Sequence, residues 1–175
     1  MRCAISIFGT DRPGIIANVT SILADNSVNI EDASMTLLQG HFAMILVAEI
    51  NADKYEKVQE TLNGHSQLEN VSFNFLEIED VPEVEPTSSI SKYVFHLSVS
   101  DTPGIVASVT QVLSKYGANI VDCATRKNND TGVFTMILDV DVETDKEDEV
   151  VKEIDKVTHQ YSGDIVFQKL DDVDL

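Results

Sequence analysis

The chain has 175 residues, of which 30 are Asp or Glu and only 12 are Lys or Arg, giving a net charge of −18 at pH 7. Such a surface repels phosphate backbones, and the few basic residues do not cluster, so direct nucleic-acid binding is excluded as a class. No apolar run approaches the roughly 18 residues a membrane helix needs, and the amino terminus lacks the basic start and apolar stretch of a secretory signal. A cytoplasmic protein without membrane contact is expected.

Cys3, Ile5 and Ile7 alternate with Ala4, Ser6 and Phe8, the period of a strand. Gly9 to Gly14 follows as a loop with helix-start chemistry: Pro13 fits a first helical turn, and Asp11 or Thr10 can cap it. Ile15, Ile16, Val19, Ile22 and Leu23 fall on one helical face, and Asn26-Ser27 ends that helix. Val28 to Leu38 and Phe42 to Ile50 read as a hairpin about Gln39-Gly40. A second helix starts near Asp53 with Tyr55, Val58 and Leu62 inward, and Val71 to Ile78 supplies a last strand.

Val81 to Ser89 holds two prolines, acids and small polar residues, the composition of an extended linker. The pattern then restarts. Tyr93, Phe95, Leu97 and Val99 face one way along a strand, and Ile105, Val106, Val109, Val112 and Leu113 form a helical stripe. Gly117 is expected as its left-handed cap. A hairpin spans Ala118 to Arg126 and Val133 to Val142. Val150, Val151, Ile154 and Val157 face inward from a last helix, and Ile165, Phe167 and Lys169 alternate along a last strand.

The second half repeats the first. Asp11-Arg12-Pro13-Gly14-Ile15 returns as Asp101-Thr102-Pro103-Gly104-Ile105, and Asn29-Ile30-Glu31-Asp32 as Asn119-Ile120-Val121-Asp122, both offset by 90 residues. Gly40 to Leu46 reappears as Gly132 to Leu138, offset by 92, which marks a hairpin turn longer by two residues. The period is too long for a solenoid. The expected architecture is α+β: two ferredoxin-like βαββαβ domains, each a four-stranded antiparallel sheet with two helices on one face. The first domain is placed at residues 1–80, a linker at 81–91, the second domain at 92–170 and an acidic tail at 171–175.

Two repeated features carry chemistry. A glycine between first strand and first helix lets a ligand or a second backbone approach closely. The helix start behind it offers unpaired N–H groups suited to a carboxylate. Asn29 and Asn119 supply both a donor and an acceptor, and Asp11 and Asp101 could pair with an ammonium, together the needs of a free amino acid. A purely structural account stands beside this one, in which Asp caps the helix, Pro and Gly shape a turn, and Asn holds a turn conformation.

The element order, the D-x-P-G-I loop and the N-I-x-D start of the second strand resemble the ACT domain, a family of small regulatory modules that bind amino acids where two modules meet. The resemblance covers nearly the whole chain apart from the linker and the tail. A tandem of two such modules is similar to the glycine cleavage system transcriptional repressor family, and the first loop also looks like the regulatory segment of formyltetrahydrofolate deformylase. The resemblance implies that Asp11 and Asn29, and Asp101 and Asn119, hold the ligand. Many members carry Asn at the first of these positions, so Asp in both copies adds negative charge near the carboxylate's place. The candidate ligand-binding residues are thus Asp11, Pro13, Gly14, Ile15 and Asn29 in one copy, and Asp101, Pro103, Gly104, Ile105 and Asn119 in the other.

Other patterns point elsewhere. His41, His65, His96 and His159 form no ligand pair, and the acids from Asp139 to Glu149 lack the glycine turn of a calcium loop. Cys3 and Cys123 read as buried thiols of a reducing compartment, and Arg126-Lys127 is too small for a phosphate patch. No nucleophile–base pair, metal set or phosphate loop is present, so neither catalysis nor a cofactor is expected. The leading expectation is a regulatory amino-acid sensor, a homodimer acting on metabolic or transcriptional control through a regulatory protein partner. The competing one is an adaptor without ligand that works only by protein contact. Apolar Phe42, Met44, Leu46 and their counterparts Phe134, Met136 and Leu138 are read as strands buried on both faces, which favours packing between modules.

Overall fold

The computed structural model describes residues 1–79 and 89–170. Most of the expected linker and all of the expected tail therefore lie outside the described residues. The chain divides into two compact units, before and after Glu83–Val84. Each is a βαββαβ domain.

In the first domain the elements are β1 (Arg2–Thr10), α1 (Ile15–Asp25), β2 (Asn29–Leu38), β3 (His41–Glu49), α2 (Tyr55–Gly64) and β4 (Val71–Glu77). The sheet order is β2-β3-β1-β4, antiparallel throughout. The second domain repeats it with β5 (Ile90–Ser100), α3 (Ile105–Lys115), β6 (Asn119–Lys127), β7 (Val133–Glu143), α4 (Glu147–Gln160) and β8 (Asp164–Leu170) in the order β6-β7-β5-β8. Residues 90 and 91, expected in the linker, pair with β7. Ser91 is buried there, with its Oγ 3.0 Å from Thr144 Oγ1.

The periodicities explain these elements. Ile15, Val19, Ile22 and Leu23 of α1 are buried against Cys3, Ile5 and Ile7 of β1, and Val58 and Leu62 of α2 complete that core. Ile105, Val109 and Leu113 of α3 with Val150 and Ile154 of α4 do the same over Phe95 and Leu97. Each fully buried Leu, Ile or Phe contributes about 1.5–3 kcal/mol of apolar transfer. Helix ends follow local chemistry as well. Gly117 takes φ 68° after α3, and Ala118 N–H donates to the Leu113 carbonyl at 3.0 Å.

Three details differ from expectation. Helix α1 starts at Ile15, and Pro13 lies in the turn ahead of it, because Gly14 takes φ 95° and ends the helical run there. Phe42, Met44 and Leu46 all face the helices, since alternate residues of a strand share a face. Their burial therefore says nothing of the opposite sheet face, where Phe8, Ile45 and Leu76 are exposed. Cys3 is buried, but Cys123 is exposed because it lies on β6, an edge strand exposed almost along its length.

Candidate functional site

Both D-x-P-G-I loops have the same backbone. Asp11 N–H donates to the Gly40 carbonyl at 2.9 Å, and Asp101 N–H donates to the Gly132 carbonyl at 2.9 Å, tying each loop to the tip of its hairpin. Gly14 and Gly104 are the N-caps of α1 and α3, with φ 95° and 100°, in the left-handed region that favours glycine. Neither helix has a side-chain cap. Asp11 and Asp101 thus do not cap the helices. Among the described residues no side-chain hydrogen bond caps the first turn of either helix, which leaves partial positive charge at both helix starts.

Around this common frame the side chains differ. In the first domain Arg12 Nη2 donates to the Gln67 carbonyl at 2.9 Å and the Glu69 carbonyl at 2.8 Å. Those bonds strap the loop to the segment entering β4. Asn18 Nδ2 donates back to the Gly14 carbonyl at 2.7 Å. A hollow of about 390 Å³ lies between Arg12, Gly14, Asn18, Gln67 and Asn70. Among the described residues the Asp11 carboxylate has no ion-pair or side-chain hydrogen-bond partner.

In the second domain Asp101 Oδ2 sits 2.5 Å from Lys127 Nζ, at the end of β6. Ser108 Oγ and Tyr161 Oη are 2.9 Å apart, and that tyrosine oxygen lies 3.2 Å from where a Cβ on Gly104 would stand. A hollow of about 560 Å³ opens on the other side, lined by Asp101 to Ala107 and by Phe134. Sequence reasoning missed Arg12, Lys127 and Tyr161. Only the pairing register of β6 with β7 carries Lys127 back to the loop, and Tyr161 lies where the two copies share no identity.

The asparagines lie far from the loops of their own domains. Asn29 pairs with Glu49, which pairs with Arg2, whereas the loop follows Thr10 at the other end of β1. Eight steps at about 3.4 Å put those ends roughly 27 Å apart. Asn119 pairs with Asp141, which pairs with Lys92, so the second domain repeats the separation. Asn119 instead lines a shallow hollow with Leu113 and Gly117 at the end of α3. Beyond both asparagines, the edge strands carry a bulge, between Ile30 and Asp32 and between Ile120 and Asp122. The structure brings Asp11, Pro13, Gly14 and Ile15 together, and likewise Asp101, Pro103, Gly104 and Ile105, but not either asparagine with its own loop.

Among the described residues no group of three or more His, Cys, Asp or Glu is arranged to hold a metal ion. None of their helices is long and apolar enough to cross a membrane.

Comparison with known proteins agrees with this fold. Residues 3–75 match a family model of the ACT domain, and residues 92–159 match a second model of the same domain. A UPF0237 protein of Clostridium acetobutylicum is 36% identical over 74 residues, covering 41% of this chain and 83% of that protein. One from Methanopyrus kandleri is 42% identical over 50 residues, covering 29% of this chain and 56% of that protein. The chain spans only 56% to 60% of the length of the first such curated relatives. An unknown protein from Galdieria sulphuraria superposes with a TM-score of 0.78 at 29% identity, over 97% of this chain and 98% of that one. A candidate glycine cleavage system transcriptional repressor superposes with a TM-score of 0.71 over 98% of each chain, but at 16% identity that likeness is one of fold.

Proposed function

We propose that this chain, which belongs to the ACT-domain family and carries two such domains in tandem, is a cytoplasmic regulatory amino-acid sensor. It binds a free amino acid without transforming it and acts on metabolic or transcriptional control through a protein partner. The observation that carries this reading is the repeated loop whose helix opens on a left-handed glycine with no side-chain cap. A turn kept for structure alone would be expected to satisfy the helix start with its own Asp. Here the Asp side chains leave it open, so the loop presents an N–H cluster for a carboxylate and, beside it, a carboxylate for an ammonium.

The separation of loop and asparagine shapes the proposal further. A ligand touching both needs groups from more than one ACT domain, and we assign the second set to another copy of the chain in a homodimer. Bare edge strands support that assignment: Met35, Leu37 and Leu38 of β2 are all more than half exposed, and unpaired edges invite pairing with another chain.

One observation favours the adaptor reading. The outer sheet face of the first domain exposes Phe8, Ile45 and Leu76, a surface that could dock a partner without any ligand. A thermal-shift screen against the free amino acids separates the two. A specific binder at 100 times its dissociation constant stabilises the fold by about 2.7 kcal/mol. Calorimetric titration of Asn29→Ala and Asn119→Ala then tests the site, with an expected loss of about ten- to hundredfold in affinity. No stabilisation by any amino acid favours the adaptor, and full-strength binding by both variants removes the asparagines from the site.

A further inference from the structure

The two loops share a backbone but not an ion pair. Lys127 and Leu37 are equivalent positions, since Lys127 pairs with Phe134 and Leu37 with Phe42 at the same place in their hairpins. In the second domain that position delivers an ammonium to Asp101 at 2.5 Å. In the first it delivers an apolar side chain, and among the described residues no cation pairs with Asp11. The position after each Asp differs in the opposite sense. Arg12 places a guanidinium in the first loop, held at the Gln67 and Glu69 carbonyls, whereas Thr102 brings none to the second.

We infer that the first ACT domain is the stronger amino-acid site and that the second is held back by its own Lys127, whose ammonium occupies the Asp101 carboxylate a ligand would need. The inference rests on the sensor reading above and adds which domain answers first. Space is not the obstacle, because the hollow beside Asp101 measures about 560 Å³. Charge is. An exposed ion pair contributes at most about a fivefold factor by itself. A ligand that displaces Lys127 must also sit beside the ammonium it displaced, and like charges brought together weaken binding further. The sum is a gap of roughly tenfold or more between the domains. On the opposite side of that loop the Tyr161 hydroxyl, bonded to Ser108, stands 3.2 Å from where a Cβ on Gly104 would lie. In the first domain the corresponding residue is Glu69, whose carbonyl holds Arg12.

Exchanging the equivalent residues tests this in the full chain, since Leu37 and Lys127 are both exposed and neither supports a core. The glycine and L-amino acid series, screened singly by thermal shift, supplies the probe, and calorimetry counts the sites. The parent is expected to show one strong class per chain and a second about tenfold weaker or more. Lys127→Leu should strengthen the weaker class to within about threefold of the first. Leu37→Lys should weaken the strong class by about tenfold with the oligomeric state unchanged by sedimentation, since Leu37 also lies on the β2 edge assigned to the homodimer. Two equal classes in the parent, or a weak class unmoved by Lys127→Leu, overturns the inference while leaving the sensor intact. No binding by the parent or either variant overturns the sensor reading, and this inference with it.

Discussion

Gly9 lies opposite Val71 on the β1–β4 ladder, and the second domain holds the same pair reversed, with Val99 against Gly163. A Cβ on Gly9 would lie 3.0 Å from the Asn70 carbonyl oxygen and 3.3 Å from Val71 Cα. A Cβ on Gly163 would overlap the Ser98 carbonyl oxygen and Val99 Cγ1, and stand 2.7 Å from Val99 Cα. One strand crossing leaves room for a single Val, and the two copies place it on opposite strands. Gly163→Ala should therefore destabilise its domain by about 1–3 kcal/mol through overpacking against backbone. Gly9→Ala should cost about 1 kcal/mol, because its neighbours need to move by only a few tenths of an ångström. Urea unfolding of both variants gives the order. Adding Val99→Gly should recover little of the loss at Gly163, because the Ser98 carbonyl oxygen and Val99 Cα that crowd the new methyl are backbone atoms and stay in place.

The ends of α1 and α3 offer an internal control on backbone strain. Ser27 takes φ 59° where Gly117 takes φ 68°, with the same closing bond from the following N–H to the Leu23 or Leu113 carbonyl. A side chain in that conformation costs about 1–2 kcal/mol, partly offset by the greater freedom glycine has when unfolded. Ser27→Gly should then stabilise the first domain by about 0.5 kcal/mol, whereas Gly117→Ala should destabilise the second by about 1 kcal/mol. Thermal unfolding of the pair decides the matter, and an unchanged or lowered midpoint for Ser27→Gly would show that no strain is relieved there.

What could be read from the sequence was what is local or repeated. Stripes such as Ile15, Val19, Ile22 and Leu23 show at helical spacing which face is buried, and the 90-residue offset carries that reading to Ile105, Val109 and Leu113. What could not be read depends on register. Asn29 stands 18 residues beyond Asp11 in the sequence, yet antiparallel pairing through Glu49 to Arg2 puts it at the far end of the sheet. Lys127 reaches Asp101 only because β6 folds back along β7. The apolar strand residues were legible as core but not as to side, since Phe42 and Ile45 are equally apolar and only the pleat separates them.

Tyr93, Glu147 and Lys169 form a polar cluster peculiar to the second domain. Tyr93 Oη donates to Glu147 Oε2 at 2.8 Å, and Lys169 Nζ donates to Glu147 Oε1 and Oε2 at 3.1 and 2.8 Å. The equivalent residues of the first domain are Cys3, Tyr55 and Glu77. Burial, then the hydrogen bond to Glu147 and that carboxylate's charge, push the Tyr93 phenol up to about 12. Lys169 first, and Tyr93 second, hold the Glu147 carboxyl below its ordinary range. The consequences fall in different windows. A raised phenol keeps its proton in the folded state after an unfolded tyrosine, near 10, has lost it, so the Tyr93 contribution to stability is level below about pH 10 and is lost between about 10 and 12. The loss is on the order of 2 kcal/mol. A depressed carboxyl acts the other way: its contribution is present above the ordinary Glu range and is lost as pH falls through the lowered value. Tyr93→Phe should therefore flatten the alkaline limb of the second domain's stability while leaving most of the core packing in place. Denaturant unfolding measured across both pH ranges, with phenolate absorbance followed in parallel, reads both effects. An alkaline limb of equal slope in parent and Tyr93→Phe would mean that another group sets it.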